Sequence, residues 1–334
     1  MTNQCATVAV YGAGGHTGRF VVAELLRRTI PVIAVGRDLS RLPSDVPGKV
    51  AAIDDPAALD RAFAGCAVVI NCAGPFLDSA DPVVRAALRA GCAYLDINAE
   101  QASTQATLET FDQPAREAGL AVIPAAGFYG GLADLLASVL AKGDTVDELT
   151  TAVALDHWWP TEGTRKTGER NRVARVNVDD GKRVPMALPA ASIEWSFAAP
   201  HGAQSVVEMP FSEIITISRH LPVRQLRSYL GANALGDVRH AGTPAPTAVD
   251  QLGRSAQQFA MDVVAVGANG TRRASARGQD IYAVSAPLVA EAAARILDPS
   301  FARSGALTLG EAFDARDFLD ALMPDHLTVA FTPV

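Results

Sequence analysis

Val8-Ala9-Val10-Tyr11-Gly12-Ala13-Gly14-Gly15-His16-Thr17-Gly18-Arg19 is an apolar run, a glycine-rich turn and the opening of an amphipathic segment. Ala6–Tyr11 reads as a strand and Gly18–Arg28 as a helix, so the glycines fall in a strand-to-helix turn. One glycine there tolerates backbone angles that a side chain resists, and another lets the main chain approach a pyrophosphate. A later one permits close helix–strand packing, while the helix N-terminus offers free N–H groups to the anion. The spacing departs from GxGxxG because Thr17 holds the last glycine's place; it fits GxxGxxG through Gly12, Gly15 and Gly18, with Gly14 extra. Strand, turn, helix and following strand all fall where the motif needs them, which predicts a Rossmann-type dinucleotide-binding unit. Gly12, Ala13, Gly14, Gly15, His16, Thr17 and Gly18 are its candidate cofactor-binding residues, with His16 facing phosphate or ribose rather than doing chemistry.

The second strand, Val32–Val35, runs into Gly36-Arg37-Asp38. An NAD site usually places a carboxylate here for the ribose hydroxyls. Gly36 removes that charge, and the Arg37 guanidinium is suited to a 2′-phosphate, which favours NADP(H) over NAD(H). The competing reading has Asp38 reach the ribose and leaves Arg37 as a surface charge.

Outward from this unit, Val50–Ile53, Ala67–Asn71, Ala93–Ile97 and Leu120–Ile123 read as further strands. Between the later ones lie helices over Asp81–Ala90, with Pro82 in the first turn, and Gln101–Ala118. The alternation predicts right-handed βαβ units and a parallel sheet covered on both faces. Ligands of such sheets lie beyond the strands' carboxyl ends. Asp54, at the end of the third strand, is therefore placed to meet adenine, and Asn71, Ala73, Gly74, Pro75 and Phe76 form a small-residue loop against the cofactor.

After Gly127 the character changes. A helix is expected over Gly131–Ala141, then strands at Glu148–Leu155, Ser205–Met209, Glu213–Ser218 and Phe259–Val266. The last turns through Ala268-Asn269-Gly270 into Thr271–Arg277, a hairpin pattern. Residues 130–284 thus read as a separate α+β domain with a mainly antiparallel sheet. Ser285 can cap a helix over Ala286–Leu297, and Thr308-Leu309-Gly310-Glu311 is a capping-box pattern for a helix through Leu322. Pattern alone leaves open whether these helices close the middle domain or return to the first.

Several function classes are excluded by composition. At 334 residues, 49% hydrophobic and 19% charged, the chain has ample core material for two domains. A net charge of −7 speaks against a nucleic-acid partner. No stretch approaches the roughly 20 apolar residues of a membrane span, and no secretory signal pattern opens the chain. Cys5, Cys66, Cys72 and Cys92 lack CxxC spacing and read as reduced, small apolar residues, so a cytoplasmic location is expected. No HExxH, GxSxG or clustered ligand set appears, and no metal is expected.

These stretches resemble the saccharopine dehydrogenase-like oxidoreductases. The likeness rests on residues 12–19 and 35–38, Asn71-Cys72-Ala73-Gly74-Pro75-Phe76, and Gly91-Cys92-Ala93-Tyr94-Leu95-Asp96 with Glu100. It continues in Pro124-Ala125-Ala126-Gly127-Phe128, Gly131-Leu132-Ala133-Asp134 and Gly278-Gln279-Asp280-Ile281-Tyr282. The resemblance implies NADP(H)-linked chemistry on a C=N, C=C or C=O bond of a small organic substrate. It also implies C-terminal helices that return to the first domain. Residues 1–129 and 285–334 then form the Rossmann domain, and residues 130–284 form an inserted substrate or oligomerisation domain.

Catalytic candidates belong beyond the last parallel strand. Tyr129, in a glycine-flanked loop, is placed to donate a proton, and His157, beside Trp158-Trp159, is placed to line a cleft and titrate near neutrality. Residues 157–185 hold Arg165, Lys166, Arg170, Arg172, Arg175, Lys182 and Arg183, a basic loop suited to an anionic substrate or to closure over the cofactor. The alternative to an enzyme is a non-catalytic NADP(H) sensor that changes partners with redox state. A homodimer is the default assembly for such folds.

Overall fold

A computed structural model describes residues 6–141 and 143–333; Cys5 lies outside the described residues. The chain opens with β1 (Thr7–Tyr11), α1 (His16–Arg27), β2 (Val32–Gly36), a single 3-10 turn at Leu39–Arg41, β3 (Gly48–Val50) and α2 (Pro56–Phe63). It continues through β4 (Cys66–Asn71), α3 (Phe76–Arg89), β5 (Ala93–Asp96), α4 (Gln101–Ala118) and β6 (Ala121–Ile123). All these strands pair in parallel, and a two-residue strand from the end of the chain, Gly305–Ala306, extends the sheet beside β6. The central strands are buried along most of their length, as helices on both faces demand. The order runs from β3 through β2 and β1 to β4, so the direction of winding reverses between β1 and β4, and the crevice at their carboxyl ends is where ligands of such sheets bind.

A π-turn at Phe128–Leu132 leads into α5 (Ala133–Ala141), which is buried almost all round because it lies between two layers. The second sheet follows, with β7 (Val146–Leu155), α6 (Glu162–Arg170), β8 (Val176–Asp179), β9 (Lys182–Pro185), β10 (Ser192–Ser196) and β11 (Ala203–Glu208). It is completed by α7 (Glu213–His220), β12 (Val223–Gly231), α8 (Ala232–Arg239), β13 (Gln258–Gly267) and β14 (Gly270–Gln279). Apart from the parallel β12–β7 pair, the strands are antiparallel. The sheet curls: β11, β12 and β7 lie between β10 and β13, yet the Trp195 indole donates to Asp262 at 3.0 Å. Ala152, Ala154 and Ala260 leave room for Phe197 and Val206 in the concavity. One continuous apolar core joins α5, the first sheet and the inner face of the second.

The chain ends with α9 (Ser285–Leu297), β15 (Gly305–Ala306), α10 (Leu309–Ala312), α11 (Ala315–Leu322) and β16 (Leu327–Pro333). α9 packs on α1, and β15 joins the first sheet. β16 instead pairs with β14 in the second sheet, so the chain beyond α11 lies with the middle sheet rather than with the Rossmann layer.

Some sequence expectations fail locally. Glu213–Ser218 is helical, since Ile214, Ile215 and Ile217 bury one helical face and outweigh their β-branched preference. α3 starts at Phe76 rather than Asp81, leaving Pro82 inside the helix; the Glu100 carboxylate accepts the Phe76 N–H at 2.7 Å and so caps the earlier start. The capping box at Thr308 is present, but its helix stops after Ala312, and Asp314 caps a new one. The hairpin forms as expected, with Gly270 taking the positive φ (+90°) at its turn.

Candidate functional site

Two glycines show why the first turn has its composition. Gly12 has φ +79°, and a Cβ there would stand 2.9 Å from the Ala73 backbone nitrogen; a Cβ at Gly18 would run into the Gly12 carbonyl. Both are needed for the turn to close against β4 and for α1 to start where it does. The turn forms one wall of a cleft of about 760 Å³ at the β1/β4 switch point. Gly12, Gly14, Gly15, His16 and Thr17 line it, with Arg37 and Asp38 at one end and Cys72, Ala73 and Gly74 at the other.

The remaining cofactor candidates lie behind this wall. Ala13 and Gly18 are buried in the packing of the turn. Asn71 is fully buried, and its amide donates to Ser79 at 3.2 Å and to Tyr94 at 3.1 Å while accepting from the Ala73 N–H at 3.0 Å, so it shapes the loop from beneath. Pro75 and the buried Phe76 carry that loop into α3. Asp54 is exposed on the loop after β3, which ends at Val50 rather than Ile53, and it does not line the cleft.

Asp38 settles into a local role. Its Oδ1 accepts from the Ser40 N–H at 2.9 Å and the Ser40 hydroxyl at 2.7 Å, capping the 3-10 turn, and these bonds hold its pKa below the usual carboxylate value. The turn carries Arg41 to the same end of the cleft as Arg37, where Arg19 and Lys166 also lie. Arg41 escaped the sequence reading, and Lys166 entered it only as one cation of the basic loop. Arg41 was legible in principle as the second cation of Arg37-Asp38-Leu39-Ser40-Arg41 once Asp38 is read as a cap. Lys166 comes from α6 in the inserted sheet, 125 or more residues away. A glycine cradle that a Cβ would fill, opening on a cluster of cations, fits a dinucleotide bearing an extra phosphate.

α6 roofs the cleft. Thr161, Glu162, Gly163 and Lys166 line it, and the Arg170–Asp78 ion pair (2.8 Å) ties α6 to α3. Tyr282 fastens the other side: its hydroxyl accepts from the Trp158 indole at 2.9 Å and pairs with the Thr164 hydroxyl at 2.9 Å, while His16 packs edge-on against its ring. Burial lowers the pKa of His16, and its Nε2 has no hydrogen-bond partner among the described residues, which suits a neutral ring facing a ligand.

Beyond Tyr282 the structure gathers a second set of groups. Tyr129 stacks on Phe211 with ring centroids 4.1 Å apart and lies 6.0 Å from Trp158. Its hydroxyl is buried without a hydrogen-bond partner, and burial raises its pKa far above the ordinary phenol value. Glu213, at the start of α7, accepts the Phe211 N–H at 2.9 Å through Oε1, and its Oε2 is unpartnered. Burial pushes this carboxyl up to about 7, against the lowering pull of the Ser228 hydroxyl, of that N–H and of Arg175. Glu213 therefore holds a proton near neutrality, which Tyr129 does at any physiological pH. His157, by contrast, is exposed on the surface, stacked on Trp159 at 5.3 Å and 3.7 Å from Asp237. The structure brings Tyr129 to the cluster and leaves His157 outside it. The basic loop divides in the same way: Arg165 donates to the Thr243 carbonyl and Arg183 to Ser218, while Lys166 lines the cofactor cleft and Arg175 lies over Phe211.

Residues 8–123 match the saccharopine dehydrogenase NADP binding domain family, so the resemblance read from the glycine turn and its neighbours is borne out, and NADP(H) is the cofactor of this domain. A human saccharopine dehydrogenase-like oxidoreductase is 26% identical over 226 residues, 56% of this chain and 52% of that protein. The "Probable mitochondrial saccharopine dehydrogenase-like oxidoreductase" of Arabidopsis thaliana is 32% identical over 142 residues, 36% of this chain and 31% of that protein. The matches thus span about half or less of these relatives' lengths. The structure of apo saccharopine dehydrogenase (L-Glu forming) from Saccharomyces cerevisiae superposes with a TM-score of 0.68 at 13% identity, covering 98% of this chain and 100% of that one, which shows a shared fold.

Proposed function

We propose that this chain, with a saccharopine dehydrogenase NADP binding domain over residues 8–123, is an NADP(H)-dependent oxidoreductase. Its substrate is a small organic molecule with a reducible C=N, C=C or C=O bond, held between the first sheet and the inserted one. When bound, NADP(H) supplies or accepts the hydride. The glycine turn and the cations at Arg37 and Arg41 hold the dinucleotide, while α6 and Trp158 exclude water from above. Glu213 holds the proton that a reduced substrate needs, at its buried Oε2 atom. One observation carries the reading: the cofactor cleft is roofed by the inserted domain, and the same roof leads through Tyr282 and Trp158 to a buried carboxyl and phenol with unspent hydrogen bonds. A pure nucleotide sensor has no need of that second cluster.

The test is an NADPH titration followed by a panel of imines, enones and carbonyl compounds read by nicotinamide absorbance. Turnover of one class by the wild type, abolished by Glu213→Gln with NADPH binding intact, is the expected result. Tight NADPH binding with no turnover of any class favours the sensor instead.

A further inference from the structure

Arg175 occupies the loop between α6 and β8, and its backbone is fixed in place. The N–H and the carbonyl of its neighbour Val176 both bond to the Gln101 side chain at 2.8 Å, pinning the loop to the N-terminal end of α4, beside the carboxyl end of β5. The half-buried guanidinium lies over the Phe211 ring, 4.9 Å from its centroid, and donates through one nitrogen to the Pro210 carbonyl. A guanidinium has five N–H donors. No carboxylate among the described residues lies within ion-pairing distance of this one. Other part-buried arginines of the second sheet differ in this respect, since Arg227 has Glu208 and Arg273 has Asp262.

The surroundings make that unmet charge informative. Burial lowers the pKa of Arg175, and the charged groups that act on it are Glu213, Glu100 and the exposed Arg239. Glu213 is the first of these, and like the others it makes no ion pair with the guanidinium among the described residues. Beside Arg175 stands the unpartnered Tyr129 hydroxyl, on a side chain at least nine-tenths buried. Both groups have hydrogen to donate. Unspent donors beside the Phe211 ring need an acceptor with several lone pairs, and the positive charge on one of them needs that acceptor to be an anion. The walls around them are the rings of Phe211, Tyr129 and Trp158.

Resting on the reading of the cleft given above, we infer that the substrate is a monocarboxylate with a flat apolar body, its carboxylate received by Arg175 together with Tyr129 and its body laid against Phe211 and Trp158. A phosphate dianion fits less well, because the Glu100 carboxylate lies within electrostatic reach and the nearest second cation, Arg239, is exposed.

Equilibrium binding to the full-length protein saturated with NADP+ tests this, with benzoate, cinnamate and phenylpyruvate as probes and benzamide, cinnamamide and cinnamyl alcohol as their neutral counterparts. Trp158 lies in the cluster, so intrinsic fluorescence reports occupancy beside calorimetry. The expected result is that at least one acid binds ten-fold or more tightly than its neutral counterpart. Arg175→Gln should erase that preference and Arg175→Lys restore part of it, while NADP+ affinity stays at the wild-type value. A purely structural Arg175 would weaken acids and neutral probes alike. Equal binding of acid and amide by the wild type, or an unchanged preference in Arg175→Gln, overturns the inference while the oxidoreductase reading stands. Failure to bind NADP+ at all overturns that reading first.

Discussion

The two halves of the cleft are built by opposite means. The cofactor half is largely backbone: a continuous stretch around Gly12–Gly18 leaves out side chains so that N–H groups and a helix start can face an anion, and its one side-chain cluster, Arg37 with Arg41, sits five residues wide at the next strand end. The substrate half is all side chains, and they come from remote places: Tyr129 from the π-turn, Trp158 after β7, Arg175 before β8, Phe211 and Glu213 at α7, and Tyr282 before α9. Groups spaced by local geometry share one short window of sequence. Groups brought together by tertiary packing share none, and only the closing of the second sheet over the first assembles them.

That contrast can be broken most directly at Glu213. If the substrate half works through side chains, Glu213→Gln, which keeps the shape and removes the proton, lowers the rate about 100- to 1,000-fold with NADPH affinity unchanged. Its pH dependence has a fixed sign: the neutral carboxyl is the form that holds the proton, so wild-type reduction falls as pH rises through about 7, and the variant loses that limb. A pH–rate profile unaltered by the substitution would remove Glu213 from the chemistry.

The cofactor half should respond in the opposite manner, with binding lost and no pH signature. Gly18→Ala forces a methyl group into the Gly12 carbonyl and displaces the turn. NADPH and NADH binding should both weaken, by roughly 100-fold. Arg37→Ala should be smaller and selective. It should cost NADPH about 10- to 50-fold, the worth of one charge-assisted bond, and leave NADH untouched. Arg41→Ala should follow the same pattern, and the double variant should bring the two cofactors close to parity. Equal loss for NADPH and NADH in either arginine variant would mean that the cluster grips the pyrophosphate rather than the 2′-phosphate.

How much of this was legible follows from the same contrast. The parallel order of the first sheet, the helix over Gln101–Ala118 and the hairpin near Asn269 each rest on local periodicity, and each was readable. The α7 segment was misread because Ile214, Ile215 and Ile217 favour a strand in isolation, and with it went Glu213, which stands first in that helix. Arg175 was visible only as one of seven cations in a basic stretch. Nothing local separates it from Arg165 or Arg183, which end on carbonyl and hydroxyl partners. His157 looked promising for a local reason, two neighbouring tryptophans, yet the chain turns only Trp158 inward.

The smallest expected effect lies on the seam between the halves. The fully buried Asp134 of α5 accepts from two elements at once, with His220 of α7 at 2.7 Å and the Gly310 N–H of α10 at 2.8 Å. Burial disfavours the charged ring of His220, but the charge and hydrogen bond of Asp134, with Glu311 behind it, outweigh that and the opposing Arg219, and its pKa is raised above 6.5. A histidine whose folded pKa exceeds the unfolded value contributes its full stability below the unfolded pKa, and loses it as pH rises through the folded one. The melting temperature should therefore decline slightly above about pH 6.5. His220→Gln, which keeps a donor for Asp134 but cannot titrate, should flatten this part of the profile. Because α7 also carries Glu213, the same variant asks whether the clasp positions the acid. An unchanged pH–rate limb near 7 beside a flattened stability profile would show a seam that holds the two halves together without tuning either, whereas a shifted limb would make it part of the substrate half.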